Sequence, residues 1–163
     1  MEVRPATLDD AEAVRAIYNL EVETSTVTFD LRPRSLAEQR AWLAAHAGAH
    51  AALVAEEAGA VVGWASLSPW RDRPAYSTSV EDSVYVHRDH QGRRVGGMLL
   101  AAVVDAAVGA GFHAVFARIV GGHEASIRLH ASLGFEQVGV EREVGRKFGQ
   151  WLDVVVMEKL LTR

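Results

Sequence analysis

The spacing of apolar and polar positions divides this chain into short strands and amphipathic helices. Residues 51–56 and 61–68 are strand-like runs joined by "EAGA", a pattern typical of a hairpin. Ser35 followed by Glu38 is a capping signature and predicts a helix start at 36. The whole pattern predicts four helices: one that begins near Leu8 and three at 36–46, 96–109 and 124–133. It also predicts an edge strand at 3–6 and further strands at 51–56, 61–68, 80–87, 113–120, 135–140 and 152–159.

The order of these elements indicates the fold class. Helices come early, a meander of strands follows, and two helix crossovers complete the chain, which favours an α/β sandwich around a mixed sheet. The chain has 163 residues and no repeat, linker or low-complexity tract. We therefore expect a single domain spanning residues 1–163.

Composition removes several classes of function. A formal net charge of -4 argues against a general nucleic-acid binder. The absence of cysteine excludes disulfides and a cysteine nucleophile, and it fits a reducing compartment. No apolar run reaches the length of about 18 residues that a membrane span needs. We expect a cytoplasmic protein with no nucleic-acid partner and no membrane partner.

The stretch "QGRRVGG", residues 91–97, lies between a predicted strand and a predicted helix. A helix start exposes unpaired N–H groups, glycines allow close approach, and Arg93 and Arg94 add donors suited to phosphate. The stretch lacks the GK[ST] ending of a P-loop and the G-x-G-x-x-G spacing of a dinucleotide site. It predicts a pyrophosphate cradle, and the alternative is a solvated basic turn.

Gln91, Gly96 and the following "MLL" resemble the Q/R-x-x-G-x-G/A coenzyme A loop of the GNAT N-acetyltransferases. The segments "VEDSVYVHRDHQ", "ASIRLHASLGF" and "VGRKFGQWLDV", with "WRDR" upstream, are similar to the phosphinothricin and methionine sulfoximine acetyltransferase branch. These segments stand in the expected order, and the resemblance spans nearly the whole chain.

The resemblance implies a GNAT-type acyl-CoA N-acyltransferase fold. In that α/β fold a mixed central sheet is splayed in a V, helices cover both faces, and acetyl-CoA lies in the gap. The implied cofactor contacts are Val84, Tyr85 and Val86 on the strand, Gln91, Gly92, Arg93, Arg94, Val95, Gly96 and Gly97 in the loop and helix start, and His123 and Ser132.

Two residues depart from the family pattern. Arg94 stands where the loop motif has its first glycine, so a positive φ would strain the backbone there. His123 stands where relatives often have asparagine before the last helix.

Acetyl transfer needs a neutral amine and therefore a base. Glu81 is the candidate, because partial burial on its strand would raise its pKa toward working pH, and the resemblance implies the same role. Asp82 should point to the opposite sheet face. His130 stands where many GNAT enzymes have a tyrosine acid, and it can serve as the acid. The alternative for Glu81 is a half-exposed strand glutamate without a catalytic role, and the alternative for His130 is a helix histidine hydrogen-bonded to the backbone.

Two arginines in "WRDR" suggest an anionic acceptor. Arg71 and Arg73 would lie on the same side of an extended loop, where they can bind a carboxylate or phosphinate. A solvated basic loop is the alternative. Asp72, Phe29 and Lys147 complete the predicted substrate-binding set. In this family the pocket can sit near a dimer interface, and we expect a homodimer.

These residues predict an acetyl-CoA-dependent N-acetyltransferase that acts by direct amine attack. The expected acceptor is a small amino acid or a glutamine analogue: phosphinothricin, methionine sulfoximine or methionine sulfone. His87 and His90 complete no zinc signature, so no metal is expected. The alternatives are a non-catalytic acyl-CoA-binding sensor and an acetyltransferase for another amine, such as a protein N-terminus or a polyamine.

Overall fold

The computed structural model describes residues 1–161, which contain seven strands and four α-helices. The strands are β1 (Glu2–Pro5), β2 (Ala52–Glu57), β3 (Ala60–Pro69), β4 (Ser79–Val86), β5 (Ala114–Val120), β6 (Glu136–Lys147) and β7 (Gln150–Leu160). The helices are α1 (Ala11–Thr24), α2 (Leu36–Ala45), α3 (Val95–Gly109) and α4 (Glu124–Ser132).

The strands form one mixed sheet in the order β1-β2-β3-β4-β5-β7-β6. Only β4 and β5 pair in parallel, and their register covers three positions, from Ser79 opposite Ala114 to Glu81 opposite Phe116. Both strands continue beyond that point without pairing to each other, so the sheet opens into a V. This splay confirms the predicted sheet shape.

Helices cover both faces of the sheet, as predicted. The larger core packs α3 against the sheet through Leu99, Leu100 and Val103, which are fully buried. On the opposite face α1 places Val14 and Tyr18 against β2 and β3. That second face carries α1 and α2 over the β2–β4 half of the sheet, and the β5–β7 half bears partly exposed side chains.

Local sequence signals account for most element boundaries. Ser35 and Glu38 form the predicted capping box at the start of α2. The carboxylate of Asp10 accepts a hydrogen bond from the backbone N–H of Thr7 at 2.7 Å, and a 3-10 turn over Leu8–Asp10 precedes α1. Helix α3 is followed by Gly111 at φ 83°, in the left-handed conformation that ends helices.

The predicted final strands were too short. β6 runs to Lys147 instead of ending near 140, and β7 begins at Gln150. Register shifts between Gln137 and Gly139 and between Glu141 and Gly145 break the alternation by which a strand is recognised. No helix within residues 1–161 combines the length and apolarity that a bilayer crossing requires.

Candidate active site

The V between β4 and β5 holds a cavity of about 670 Å³. β4 pairs with β5 only as far as Glu81, so the backbone groups of residues 82–86 on this side have no strand partner. The cavity extends from this free edge to the start of α3, and α4 and β5 form its other walls. A long ligand with amide groups could therefore pair with the edge of β4 while its end reaches the α3 start.

The start of α3 offers an uncapped row of N–H groups. Arg94 is the N-cap residue, and no side chain accepts a hydrogen bond from the first turn. A Cβ on Gly96 would lie 3.2 Å from Leu129 of α4 and 3.7 Å from Val86 of β4. The glycine therefore allows α3 to pack closely against α4 and β4 at this end of the cavity. The N-terminal partial charge of the helix and its free donors suit a phosphate group.

Arg94 has φ 67° and ψ 8°, the left-handed conformation expected at the motif's glycine position. Gly92 also has a positive φ, at 72°. Non-glycine residues rarely adopt this conformation, because the Cβ crowds the backbone. The side chain of Arg94 lines the cavity in spite of this strain.

Two arginine ion pairs and one histidine contact hold this loop. Arg93 donates to Glu57 at 3.0 Å, and the Nε2 of His90 lies 3.5 Å from the same carboxylate. Arg88 pairs with Glu21 on α1 at 2.9 Å. The guanidinium of Arg93 therefore binds the β2–β3 hairpin, and Arg93 is not among the residues that line the cavity.

The other predicted cofactor residues divide into two groups. Ser132 is exposed, donates to the carbonyl of Leu129 at 2.6 Å and is not part of the cavity lining. His123 is the N-cap residue of α4, and burial lowers its pKa. The cavity is lined by Val84, Tyr85, Val86, Gln91, Gly92, Arg94, Val95, Gly96, Gly97 and His123.

Glu81 lies in the cavity wall at the end of the β4–β5 pairing. Burial raises the pKa of its carboxyl to about 7, with the charge of Arg118 opposing this rise and the charges of Asp82 and Glu141 adding to it. A carboxyl group with this pKa can hold or release a proton near neutral pH.

Asp82 and His130 form a buried pair that also lines the cavity, although Asp82 alternates with Glu81 and points to the opposite face of β4. The Nε2 of His130 lies 3.1 Å from Asp82 Oδ1, and its Nδ1 lies 2.7 Å from the carbonyl oxygen of Ser126. Because both ring nitrogens face acceptors, the surroundings favour the doubly protonated ring. Burial alone would lower the pKa of His130, but the hydrogen bond and charge of Asp82 and the Ser126 carbonyl raise it.

The predicted substrate residues are spread over three places. Phe29 lines the cavity, and its ring covers Gly145, where any Cβ would overlap it. Lys147 is buried and donates to the carbonyl of Thr28 at 2.9 Å, and burial lowers its pKa. Arg71, Asp72 and Arg73 line a second cavity of about 420 Å³ together with Trp70 and Tyr76.

A stacked aromatic pair lies between the second cavity and Glu81. Trp70 and Phe116 stack with ring centroids 4.2 Å apart, and Phe116 is the register partner of Glu81. The guanidinium of Arg71 packs over Trp70, with its Cζ 5.0 Å from the ring centroid. Neither Arg71 nor Arg73 lines the cavity that Glu81 lines.

Sequence reasoning missed Arg118 of β5 and Glu141 of β6. Arg118 lines the cavity and pairs with Glu141 at 2.7 Å. A charged residue in the otherwise apolar run "AVFARIV" is the signal that could have identified it. Within residues 1–161 there is no cluster of three His, Asp or Glu side chains that could hold a metal ion.

Named relatives match this chain over nearly its whole length. It is 41% identical to a phosphinothricin N-acetyltransferase from Streptomyces coelicolor, covering 99% of this chain and 96% of the relative. It is 39% identical to an L-methionine sulfoximine/L-methionine sulfone acetyltransferase from Pseudomonas paraeruginosa, covering 96% of this chain and 92% of the relative.

Solved structures share the fold. A protein from Salmonella typhimurium, solved with its cofactor acetyl-CoA, superposes with a TM-score of 0.97 at 38% identity, covering all of this chain and 95% of that one. A ribosomal-protein-alanine N-acetyltransferase from Brucella melitensis gives the same TM-score at 39% identity, covering 99% of this chain and all of that one. The family model described as acetyltransferase (GNAT) family matches residues 14–135. This chain, with its splayed sheet and uncapped helix start, belongs to the acetyltransferase (GNAT) family.

Proposed function

We propose that this protein transfers an acetyl group from acetyl-CoA to the amine of a small amino acid or glutamine analogue. Phosphinothricin, methionine sulfoximine and methionine sulfone are the proposed acceptors, because the near-full-length relatives carry these names. The observation that carries the proposal is a single cavity that joins a helix start suited to phosphate with a carboxyl group of raised pKa.

The residues of the cavity fit acetyl-CoA, which when bound supplies an acetyl group on an activated thioester. The free edge at Val84–Val86 offers backbone donors and acceptors to the pantetheine amides. The N–H groups at the start of α3, with Arg94 beside them, suit the pyrophosphate. Gln91, Gly92 and His123 complete the proposed contacts within the cavity, and Arg93 and Ser132 stay as predicted contacts although their side chains bond elsewhere.

Glu81 is the proposed base. It would accept a proton from the acceptor ammonium at its carboxylate, directly or through water, so that the neutral amine could attack the thioester carbonyl carbon. The new C–N bond would replace the C–S bond, and coenzyme A would leave as its thiol with a proton from the proposed acid. His130 is the proposed acid: it holds a proton at Nε2, and Asp82 stabilises that protonated form. Because the chain has no cysteine, an acyl-cysteine intermediate cannot form, and direct attack by the amine is the simpler scheme.

We assign the acceptor site to the Glu81 face of the sheet. Phe29 supplies an apolar wall beside Glu81. Arg71 and Arg73, with Asp72 between them, are proposed to bind the far end of the acceptor from beyond the Trp70–Phe116 stack, either the phosphinate of phosphinothricin or the polar sulfone or sulfoximine group of the other two. Lys147 is proposed to stabilise that end from a distance, since its Nζ is bound to Thr28.

A cytoplasmic homodimer is also proposed. β6 is an edge strand whose residues are mostly exposed, and with β7 it presents large apolar side chains to the surface. Contiguous exposed apolar residues mark protein interfaces. Those exposed on these two strands and their turn are Val138, Val140, Val144, Phe148, Trp151 and Leu160.

An N-terminal alanine of a protein is a second candidate acceptor. The support is the similarity to the Brucella melitensis structure, whose name describes a ribosomal-protein-alanine N-acetyltransferase. The free backbone edge and Glu81 would serve this acceptor in the same way. The two acceptors differ at the carbonyl carbon next to the α-carbon, where an amino acid presents a carboxylate and a peptide presents an amide.

Thiol release from acetyl-CoA with a panel of amines tests these alternatives. The panel contains phosphinothricin, methionine sulfoximine, methionine sulfone, an alanine-first peptide and spermidine. We expect steady turnover with at least one of the first three. Turnover of the peptide alone would transfer the proposal to protein N-termini, and tight acetyl-CoA binding without any turnover would indicate a sensor.

The role of Glu81 has its own test. Because the carboxylate form is the active one and its pKa is raised to about 7, kcat/KM should fall as pH decreases through about 7. In Glu81→Gln we expect kcat/KM to lose this pH dependence and kcat to fall by about 100-fold or more. The matched control is Glu136→Gln on exposed β6. A Glu81→Gln rate equal to the wild-type rate at pH 7 would exclude Glu81 as the base.

A further inference from the structure

We propose that Arg118 binds the α-carboxylate of the acceptor and thereby selects free amino acids over peptides and simple amines. This inference rests on the proposed function and adds a specificity residue to it. Arg118 lies on β5, is partly exposed and lines the same cavity as Glu81.

Strand register places Arg118 on the Glu81 side of the sheet. Glu81 is opposite Phe116 in the parallel pair, so these two side chains share a face. Arg118 follows Phe116 by two residues and therefore projects from that same face. The intervening Ala117 is buried in the α3 core on the other face.

The chemistry of an amino acid favours a cation close to the base. Only the α-carbon separates the reacting nitrogen of the acceptor from its carboxylate, so the group that binds the carboxylate must lie close to the base. Arg118 meets this condition, because it lies two residues after Phe116, the register partner of Glu81, on the same face, and lines the same cavity. Arg71 and Arg73 line the second cavity and suit the far end of the acceptor instead.

Glu141 prepares Arg118 for this role. Its carboxylate accepts a hydrogen bond from Nη2 of Arg118 at 2.7 Å, and this is the hydrogen bond that the Arg118 side chain makes within residues 1–161. A guanidinium has five N–H donors, so donors remain for a second carboxylate. The pair therefore orients the guanidinium and leaves it able to bind an incoming anion in two-point fashion.

The test compares two acceptors that differ only in the carboxylate: L-methionine sulfone and its carboxamide. The variants are Arg118→Gln, Arg118→Lys and the control Arg128→Gln, which removes the same charge from the exposed face of α4. Assays at pH 8.5 keep Glu81 deprotonated, which matters because removing Arg118 also removes a charge that lowers the pKa of Glu81.

We expect Arg118→Gln to lower kcat/KM for methionine sulfone by about tenfold or more, the effect of one lost hydrogen bond to a charged group. The value for the carboxamide should change less than about threefold, and KM for acetyl-CoA should stay at the wild-type value. For Arg118→Lys, kcat/KM for methionine sulfone should lie between the wild-type and Arg118→Gln values, since lysine keeps the charge but lacks the paired N–H donors of the guanidinium. Arg128→Gln should match the wild type with both acceptors.

The outcomes separate this inference from the proposed function. If the wild type acetylates methionine sulfone and Arg118→Gln affects both acceptors equally or neither, the inference is wrong and the function stands. If the wild type acetylates no amino acid of the panel, both are wrong. If Arg118→Gln lowers kcat/KM for methionine sulfone more than for its carboxamide, and Arg118→Lys does so to a smaller extent, both the inference and the proposed function are supported.

Discussion

At the scale of single residues, Arg94 combines a strained backbone with a position at the mouth of the helix. Its φ of 67° is tolerated because the loop on one side and α3 on the other fix the backbone. Its side chain adds positive charge to the cavity that the helix start already favours for anions. Arg94 therefore lowers the stability of the backbone and adds positive charge at the proposed pyrophosphate site.

Replacing Arg94 separates these two contributions. Arg94→Gly and Arg94→Ala remove the same side-chain charge, but only glycine relieves the strain of the left-handed backbone. We expect Arg94→Gly to unfold in urea with a free energy about 1 kcal/mol higher than Arg94→Ala. Both should raise KM for acetyl-CoA by a similar factor. Equal unfolding free energies would show that the backbone at 94 is not strained.

The sequence could predict some site residues and not others, according to how far apart their partners lie. The raised pKa of Glu81 could be expected from its strand alone, because period-two alternation places it on one face of β4. The Asp82–His130 pair could not, since its members lie 48 positions apart. Arg118 and Glu141 meet across β7, so their contact depends on a strand order that no local pattern reveals.

At the scale of elements, the loop from His87 to Arg94 is held from two sides. Arg88 binds α1 through Glu21, and Arg93 and His90 bind Glu57 at the end of β2. Glu57 thus connects the β2–β3 hairpin to the turn that presents the α3 N-terminus. A loop fixed in its binding conformation loses less entropy when a ligand binds.

Glu57→Gln tests this connection. The variant weakens an ion pair whose side chains are partly exposed, and such pairs contribute about 0.2–1 kcal/mol. We expect KM for acetyl-CoA to rise about two- to fivefold while kcat and the acceptor KM stay near wild type. The control is Glu12→Gln, which breaks the Arg15 pair on α1. An unchanged KM for acetyl-CoA in Glu57→Gln would mean that the loop holds its shape without this pair.

At the scale of the whole molecule, the strand order is the feature that the residue pattern alone could not supply. Each strand and helix was predicted near its observed position, apart from the underestimated lengths of β6 and β7. The insertion of β7 between β5 and β6 was not predicted, because it follows from long-range pairing. The family resemblance supplied the V-shaped sheet. The separation of Arg71 and Arg73 from Glu81 by the Trp70–Phe116 stack emerged only from the three-dimensional structure.

The exposed apolar side chains of β6 and β7 predict how two copies meet. Trp151 is 61% exposed on β7, so a charge there should weaken a dimer while disturbing the fold little. We expect the wild type to elute as a dimer and Trp151→Glu as a monomer in size-exclusion chromatography with light scattering. Val108→Glu is the control, because Val108 is 52% exposed on α3, away from this hairpin, and should leave the dimer intact. A monomeric wild type would contradict the proposed homodimer, and a dimeric Trp151→Glu would move the interface away from this hairpin.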